Sequence, residues 1–253
     1  MIMERKKVSL ILTTYNCENN IMKTLNSIKE QDYPSIEVVV KDGGSTDGTL
    51  EIVEKFKKEG GIPVNLLSCP DEGIYDAMNQ GYELSTGEII VFFNDRFTDA
   101  TVISRMVEKM DCINPVTGEP YVGVHADLVY ADEDKIIRRW HMGEGNIHQG
   151  WMPGHPTLFL RRKIYEKYGL YDTSFRIAAD YEFMIRFLKD DENQLNYLPE
   201  VIASMYYGGT STREINSYLL SLKEGHRALK MNGIKYSFWI DLRRMLRVLW
   251  QFR

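Results

Sequence analysis

The first part of this chain alternates short apolar segments with segments of helical period, and this alternation restricts the fold more than any other feature. The apolar segments lie at residues 8–12, 36–40, 63–67 and 89–93. Between them, apolar residues recur at three- and four-residue spacing, which predicts helices of about 10 to 14 residues. Strands joined by such helices need right-handed crossover connections and form a mainly parallel sheet. The sequence therefore predicts an α/β fold with helices flanking the sheet.

Each of these four predicted strands ends in a polar, acidic or glycine-rich segment. The segments are residues 13–16, 42–47, 71–76 and 94–96. Parallel strands place their carboxyl ends at one edge of the sheet, where ligands bind in open α/β folds, so we expect the four segments to form one site. Acids gathered there repel one another, and a ligand or cation would offset that repulsion. The alternative for Asn94 and Asp95 is a local role as caps of the helix predicted at residues 101–110.

The composition excludes several classes of protein. The chain has 253 residues, of which 43% are hydrophobic and 26% charged, as in an ordinary globular protein. Its net charge of -5, without a basic stripe in the main body, argues against binding nucleic acid. Cys17, Cys69 and Cys112 form no disulfide or zinc-binding pattern, which fits a reducing cytoplasm. Neither a signal peptide nor an apolar run of membrane-spanning length is recognisable.

The second part of the chain has a less regular pattern. A hairpin is predicted from two β-type segments, and the glycine-rich segment at residues 142–154 is predicted to be a mobile substrate loop. The predicted elements are the hairpin at 127–131 and 135–140, strands at 157–160 and 201–206, and helices at 101–110, 161–168, 178–189 and 215–231.

Residues 235–253 form a basic amphipathic helical pattern. Its apolar face comprises Phe238, Trp239, Leu242, Met245, Leu246, Leu249 and Trp250. The other face carries Arg243, Arg244 and Arg247, and Asp241 is the only acid. Such a helix, with tryptophan on its apolar face, is typical of a membrane interface. The alternative is that this face packs on the body of the protein or on a second subunit in a homodimer.

The segment Asp42-Gly-Gly-Ser-Thr-Asp-Gly48 favours a mononucleotide site. It matches neither the dinucleotide fingerprint nor a Walker loop, which would need a lysine. The Asp42 carboxylate suits a base N–H or a ribose hydroxyl, and a helix beginning at residues 45–49 would present free N–H groups to negative charge. Asp95 would then hold a divalent cation that bridges a pyrophosphate.

Three segments resemble the signature runs of family 2 glycosyltransferases, in their order and spacing. They are residues 8–16, 38–49 and 71–81. Within the third, Gly73-Ile-Tyr-Asp-Ala-Met-Asn79 resembles the bacterial branch that builds surface polysaccharides, such as colanic-acid-type transferases. The resemblance is most specific over residues 8–97, moderate over 150–211 and absent in the tail. It implies a GT-A fold with a Rossmann-like sheet, a nucleotide-diphosphate sugar donor with UDP-sugars favoured, a divalent cation (Mn²⁺ or Mg²⁺) and inversion at the anomeric carbon.

The resemblance also implies roles for individual residues on the donor side. Thr13 and Tyr15 would frame the nucleotide base, and Asp42 would form a hydrogen bond with it. Asp71 and Asp76 would lie near the base, the ribose or the sugar.

The metal motif of the family departs from its usual form in this chain. The expected Asp-x-Asp falls at residues 94–96, where Asn94 replaces the first acid and Arg96 occupies the place of the second. Either Asp95 binds the metal after a one-residue deletion, or metal binding is weakened. A further alternative is that Arg96 neutralises phosphate directly, as guanidinium groups do.

The second part of the chain would supply the base of the reaction. Residues 178–183 resemble the acidic motif of the family, and Asp180 matches the carboxylate that deprotonates the acceptor hydroxyl. Glu182 is the competing acid at the acceptor side, and a helix-start acid is the structural alternative for Asp180. His155 would line the acceptor site or touch the diphosphate, or else serve a structural role. Residues 207–211 resemble a donor-side loop, although their glycines also suit a simple turn.

These observations together predict an inverting transferase of hexosyltransferase type. It would move a sugar from a nucleotide donor to a hydroxyl of a lipid-linked or growing surface glycan, in the cytoplasm and peripherally at the inner face of the membrane. Residues 1–234 would form the GT-A domain, with a donor half at 1–97 and an acceptor half at 98–234, followed by the tail. The alternatives are a degenerate, non-catalytic partner subunit and a sugar-phosphate nucleotidyltransferase. The latter is disfavoured because residues 13–16 lack arginine and lysine.

Overall fold

The alternation in the first part of the chain folds as predicted. The computed structural model describes residues 5–132, 135–206, 215–235 and 238–243, with the side chains of 215–218 excluded. The first elements are β1 (Val8–Thr14), α1 (Glu18–Lys29), β2 (Ile36–Asp42), α2 (Thr49–Glu59), β3 (Val64–Ser68), α3 (Ile74–Leu84) and β4 (Ile89–Phe92). Strand β1 pairs in parallel with β2 and β4, and β2 pairs in parallel with β3.

The strands of this parallel part are mainly apolar because helices cover both faces of the sheet. Leu10 of β1 lies in a core with α1, α2 and the helix Val102–Asp111, whereas Ile11 lies in a second core with α3 and the helices Arg162–Tyr168 and Ala179–Leu188. Neighbouring residues of one strand thus enter two different cores. The same holds for β4, whose four residues are all buried. Two charged side chains of β2, Glu37 and Lys41, are buried with internal hydrogen-bond partners.

The second part of the chain extends the same sheet. Its elements are β5 (Arg96–Phe97), α4 (Val102–Asp111), β6 (Gly123–Asp132), β7 (Lys135–Trp140), β8 (Phe159–Arg161), α5 (Arg162–Tyr168), α6 (Ala179–Leu188), β9 (Leu195–Tyr206) and α7 (Ile215–Met231). Within the described residues, the strand order is β3-β2-β1-β4-β8-β6-β9-β5, and β7 pairs with β6. Strands β5, β7 and β8 run antiparallel to their neighbours, so the sheet is mixed but mainly parallel. The predicted hairpin is β6–β7.

One element was not predicted, and it changes the position of Arg96. We predicted that residues 94–96 form a loop, but Arg96 begins β5 and pairs with Ser204 of β9 in antiparallel register. Two residues are too few to show a β-strand pattern, and the partner strand lies far along the chain.

The segment at residues 142–154 is irregular, as predicted, but its ends are tied together. The buried indole of Trp151 donates a hydrogen bond to the carbonyls of Met142 and Gly143, at 3.1 Å each. A side chain at Gly145 would collide with the Trp151 ring. The mobility of this segment stays a prediction.

The described beginning of the tail is helical over residues 238–243. Ile240 is buried in the core beside α7, and the Asp241 carboxylate pairs with His226 Nδ1 at 2.7 Å. Phe238 and Trp239 are instead exposed, at 67% and 59%. Residues 244–253 and the donor-side loop predicted at 207–211 lie outside the described residues. Within the part of the chain that is described, no helix is long and apolar enough to cross a membrane.

Candidate active site

The loops that follow β1, β2, β3 and β4 meet at one edge of the sheet, as predicted. The backbone N–H of Thr13 donates to Asn94 Oδ1 at 3.0 Å, and Asn94 Nδ2 donates to Thr13 Oγ1 at 3.0 Å. The Asn16 N–H donates to Ser45 Oγ at 2.8 Å, which joins the loop after β1 to the loop after β2. Asn94 therefore connects two strand ends, and it does not cap α4.

Asp42 organises the loop after β2 from inside. Its buried carboxylate accepts hydrogen bonds from the Thr14, Ser45 and Ser68 hydroxyls and from the N–H groups of Gly44 and Ser45, at 2.5 to 3.0 Å. Burial alone would raise the pKa of Asp42, but these hydrogen bonds outweigh burial and lower it. A hydrogen bond that Asp42 accepts directly from a nucleotide base stays a prediction. It would require one of the present donors to move away from the carboxylate.

The start of α2 already has internal hydrogen-bond partners. We predicted that free N–H groups there would accept negative charge from a nucleotide. The N–H of Gly48 donates to Glu18 Oε2 at 2.7 Å, and the N–H of Thr49 donates to Asp47 Oδ1 at 3.0 Å. Two of the N–H groups thus bind carboxylates of the protein itself, and contact of this helix start with a nucleotide stays a prediction.

A buried lysine that sequence reasoning missed holds Asp71 in place. The Lys41 side chain is fully buried, and its Nζ donates to Asp71 Oδ2 at 2.9 Å and to the carbonyls of Asp42 and Cys69 at 2.9 and 2.8 Å. The other Asp71 oxygen accepts from the Gly73 N–H at 3.1 Å. The only sequence signal was a lysine directly after three valines of β2. Lys41 thus fixes the carboxylate that follows β3.

Asp71 and Tyr15 flank a strip of bare backbone at Gly43. A Cβ on Gly43 would lie 2.9 Å from Asp71 Oδ2 and 3.4 Å from the Tyr15 ring, so this position has no room for a side chain. The Tyr15 ring is 67% exposed. A flat aromatic face beside a fixed carboxylate suits a planar base with N–H groups on its edge. Two predicted donor residues, Tyr15 and Asp71, thus meet at Gly43, whereas Thr13 contacts Asn94.

Asp76 lies in the first turn of α3 and closes the loop before that helix. Its Oδ2 accepts from the Glu72 N–H at 3.0 Å and from Gln80 Nε2 at 2.8 Å. These bonds fix the loop that carries Asp71, and contact of Asp76 with the donor stays a prediction.

Asp95 is a buried carboxylate whose negative charge receives little stabilisation from neighbouring groups. It is 8% exposed, and burial raises the pKa of Asp95 to about 7, although a hydrogen bond from the Tyr206 backbone opposes this shift. Among the described residues, no group of three or more His, Cys, Asp or Glu is placed to hold a metal. A protein-only metal site is therefore not formed there. Mg²⁺-type cations, however, are often held by one carboxylate together with substrate phosphates, and an under-compensated carboxylate such as Asp95 fits that mode.

Asp180 lies at the opposite side of the site, in the first turn of α6. The Tyr75 hydroxyl of α3 donates to Asp180 Oδ1 at 3.0 Å. His155 shares a hydrogen bond with the Tyr171 hydroxyl at 2.9 Å and stacks on Phe92. Burial lowers the pKa of His155 although the charge of Asp180 opposes this, so the imidazole is neutral at neutral pH. The structure therefore brings both predicted residues, Asp180 and His155, into one cluster.

The chain before α6 is held by a carboxylate of α7. The buried Glu224 accepts hydrogen bonds from the N–H groups of Arg176, Ile177 and Ala178, at 2.9 to 3.1 Å. Sequence reasoning missed this contact, since the partners are more than 40 residues apart. It fixes the start of the helix that carries Asp180.

Glu182 occupies a different environment from Asp180. Its buried carboxylate forms an ion pair with Arg186 at 2.6 Å and accepts from Asn232 Nδ2 at 3.0 Å. It thus links α6 to the end of α7. Contact of Glu182 with an acceptor stays a prediction, and its partners in the structure are internal.

A mainly parallel sheet with helices on both faces and polar loops at one edge places the chain in the α/β class, and solved structures share this fold. Residues 1–349 of S. aureus TarS in complex with UDP-GlcNAc align with a TM-score of 0.71 at 19% identity, over 95% of this chain and 72% of that one. The mannosyltransferase PcManGT from Pyrobaculum calidifontis, in complex with GDP-Man and Mn²⁺, aligns with a TM-score of 0.66 at 18% identity, over 98% and 75%. The predicted GT-A fold is confirmed.

Sequence comparison then defines the family. The sequence model described as Glycosyl transferase family 2 matches residues 9–177. The PGL/p-HBAD biosynthesis glycosyltransferase of Mycobacterium bovis is 30% identical over 224 residues, which cover 84% of this chain and 82% of the relative. The chain belongs to glycosyltransferase family 2 and is a glycosyltransferase, as predicted. The colanic-acid-type branch stays a prediction.

Gly43→Ala is expected to weaken binding of a nucleoside diphosphate about 10-fold, or about 1.4 kcal/mol. The new methyl group would press on Asp71, which cannot move away because Lys41 holds it. Isothermal titration with UDP and GDP measures the effect.

Gly48→Ala is the matched control for this substitution. Its Cβ would also lie 2.9 Å from a carboxylate oxygen, but that oxygen belongs to the exposed side chain of Glu18, which can rotate away. Equal losses in the two variants would show that the Gly43 niche is not the base site.

Proposed function

We propose that this glycosyltransferase moves a sugar from a nucleotide-diphosphate sugar to a hydroxyl of a lipid-linked or growing surface glycan, with inversion at the anomeric carbon. The observation that carries the proposal is the niche of Tyr15, Gly43 and Asp71, whose loop continues into α3, the helix that contacts Asp180 through Tyr75. The structural neighbours bound to UDP-GlcNAc and GDP-Man support a donor of this class. We favour UDP-sugars.

On the donor side, the base stacks on the Tyr15 ring and forms hydrogen bonds with Asp71. Thr13 and Asn94, already joined to each other, line the path from the base to the diphosphate. Asp95 would hold a divalent cation, Mn²⁺ or Mg²⁺, together with the diphosphate. When bound, such a cation stabilises the negative charge of the leaving diphosphate. The complex of PcManGT with Mn²⁺ supports this assignment.

On the acceptor side, Asp180 accepts the proton of the attacking hydroxyl. The acceptor oxygen forms a bond to the anomeric carbon, and the bond from that carbon to the diphosphate oxygen breaks. The nucleoside diphosphate leaves with the electron pair of that bond. Attack from the face opposite the leaving group inverts the anomeric configuration. The neutral His155 lies beside Asp180 and donates or accepts a hydrogen bond without adding charge.

Thermal unfolding with UDP and GDP, each with and without Mn²⁺, tests the donor site. We expect one of the two nucleotides to raise the melting temperature, and ligand at 100 times its dissociation constant adds about 2.7 kcal/mol to the free energy of unfolding. The favoured nucleotide then selects the sugars for a transfer assay. No rise with either nucleotide would contradict the proposal and favour a degenerate partner subunit.

We further propose that residues 1–234 form the catalytic domain, with halves at 1–97 and 98–234, and that the tail at 235–253 contacts an anionic membrane surface. Ile240 is buried beside α7, and Asp241 pairs with His226 of that helix. Phe238 and Trp239 are exposed, and arginines follow them in sequence. Exposed aromatic side chains next to cationic ones are typical of membrane-surface helices.

Sedimentation with vesicles of phosphatidylcholine, with or without phosphatidylglycerol, tests the tail. We expect binding only to the anionic vesicles, and loss of that binding in Trp239→Ser. Val116→Ser, at another exposed apolar residue, is the control. No binding to vesicles, together with self-association in analytical ultracentrifugation, would instead assign the tail to a homodimer.

A further inference from the structure

We propose that Tyr75 is a positioning residue of the transfer reaction, because its hydroxyl holds the Asp180 carboxylate from the donor side of the site. The inference rests on the proposed role of Asp180 as the base. Tyr75 is the second residue of α3, in the donor half, and Asp180 lies in the first turn of α6, in the acceptor half. The hydrogen bond of 3.0 Å between them joins side chains 105 residues apart.

The backbone that carries Tyr75 is fixed to the donor niche. Lys41 holds Asp71, and Asp71 accepts from the Gly73 N–H at the start of α3. Asp76, the next residue after Tyr75, accepts from the Glu72 N–H. The position of the Tyr75 hydroxyl is therefore set by the same loop that carries the carboxylate of the donor niche.

The ring of Tyr75 is fixed as firmly as its backbone. It is buried and packs at a tilt on Tyr171, with 5.7 Å between ring centroids. Burial first, and then the charge of Asp180, raise the pKa of the Tyr75 phenol far above its usual value. The phenol stays protonated at any working pH, so it acts as a hydrogen-bond donor and does not compete with Asp180 for the acceptor proton.

This donor restricts the rotation of Asp180, so that the second oxygen, Oδ2, is left to receive the acceptor proton. His155 and Tyr171 also face Asp180, and their pKa values respond to its charge. Both are neutral at neutral pH, so neither forms an ion pair with Asp180, whereas Tyr75 donates a direct hydrogen bond to it.

The test is Tyr75→Phe, which removes the hydroxyl and keeps the ring. We expect kcat to fall about 10- to 100-fold, within the range that general-base geometry contributes. The KM for the donor sugar nucleotide is expected to change less than about two-fold, since Tyr75 contacts the proposed catalytic carboxylate Asp180 and not the sugar nucleotide.

Tyr82→Phe is the matched control. Tyr82 lies on the same helix, is buried to a similar degree, and directs its hydroxyl to Arg162. We expect its kcat to stay within about two-fold of the wild-type value. A similar loss of kcat in both variants would show a general packing effect and overturn the inference.

A double-substitution cycle separates this inference from the proposed function. If Tyr75 acts through Asp180, then Tyr75→Phe lowers the rate of the wild type but not the residual rate of Asp180→Asn. Additive losses, or an unchanged kcat in Tyr75→Phe, would overturn the inference while an inactive Asp180→Asn leaves the proposed function in place. An active Asp180→Asn would contradict the proposed base, and the inference with it.

Discussion

Asp180→Asn is expected to lower the rate of sugar transfer about 1,000-fold while nucleotide affinity stays unchanged. The amide keeps the size of the carboxylate and the contact with Tyr75, but it cannot accept a proton from the acceptor hydroxyl. The donor niche at Tyr15 and Gly43 lies on other elements and is not altered. Single-turnover transfer with the preferred sugar nucleotide measures the rate, and titration with the nucleoside diphosphate measures the affinity.

Glu182→Gln is the comparison that decides between the two predicted acids. Glu182 lies two residues further along the same helix, but its carboxylate is paired internally with Arg186 and Asn232. Removing its charge leaves Arg186 without its partner, so the free energy of unfolding is expected to fall by about 3 kcal/mol. The rate per folded molecule is expected to change far less than in Asp180→Asn. The reverse order of effects would assign the base to Glu182.

Asp95→Ala is expected to abolish the part of the nucleotide-induced stabilisation that depends on Mn²⁺ or Mg²⁺, and to lower the transfer rate about 100-fold. Asp95 is the carboxylate that the site offers at the end of β4, and its burial is poorly compensated by the protein itself. A cation shared with the diphosphate would supply that compensation. Melting temperatures with UDP or GDP, with and without the metal, measure the effect.

Asp99→Asn is the control for this prediction. Asp99 lies four residues further along and is paired with Arg105 on the surface. Its removal is expected to leave the metal-dependent stabilisation unchanged. A rise in melting temperature that needs no metal, and that survives in Asp95→Ala, would instead assign the diphosphate to Arg96.

The sequence pattern was sufficient for the parallel part of the fold. Strands β1, β2 and β4 are mainly apolar because both faces of the sheet are covered there, whereas the edge strand β3 is partly exposed. Each of these strands is followed by polar residues at the same edge of the sheet. The shared edge followed from strand direction alone. Strand β5 was missed because two residues carry no periodicity, and its pairing with β9 depends on the tertiary fold.

The site residues were predictable by type but not by partner. A sequence shows that Asp42 and Asp180 are acids after a strand and at a helix start, yet it does not show what satisfies them. Asp42 accepts hydrogen bonds from its own loop and from the ends of β1 and β3, whereas Asp180 accepts one from a hydroxyl 105 positions earlier. Lys41, Tyr75 and Glu224 act through such long-range contacts, which leave no local pattern in the chain.

Helix α7 combines two attachments. Through Glu224 it holds the chain just before the helix of Asp180, and through His226 it holds the start of the tail. In a molecule bound to a bilayer by that tail, this one helix would determine how the reacting centre is oriented relative to the membrane. Because the two attachments lie only two residues apart on α7, the height of the reacting centre above the lipid headgroups would then be nearly fixed, and only acceptors whose hydroxyl extends to that height would be modified. The enzyme would then select acceptors by the distance of their hydroxyl from the membrane surface.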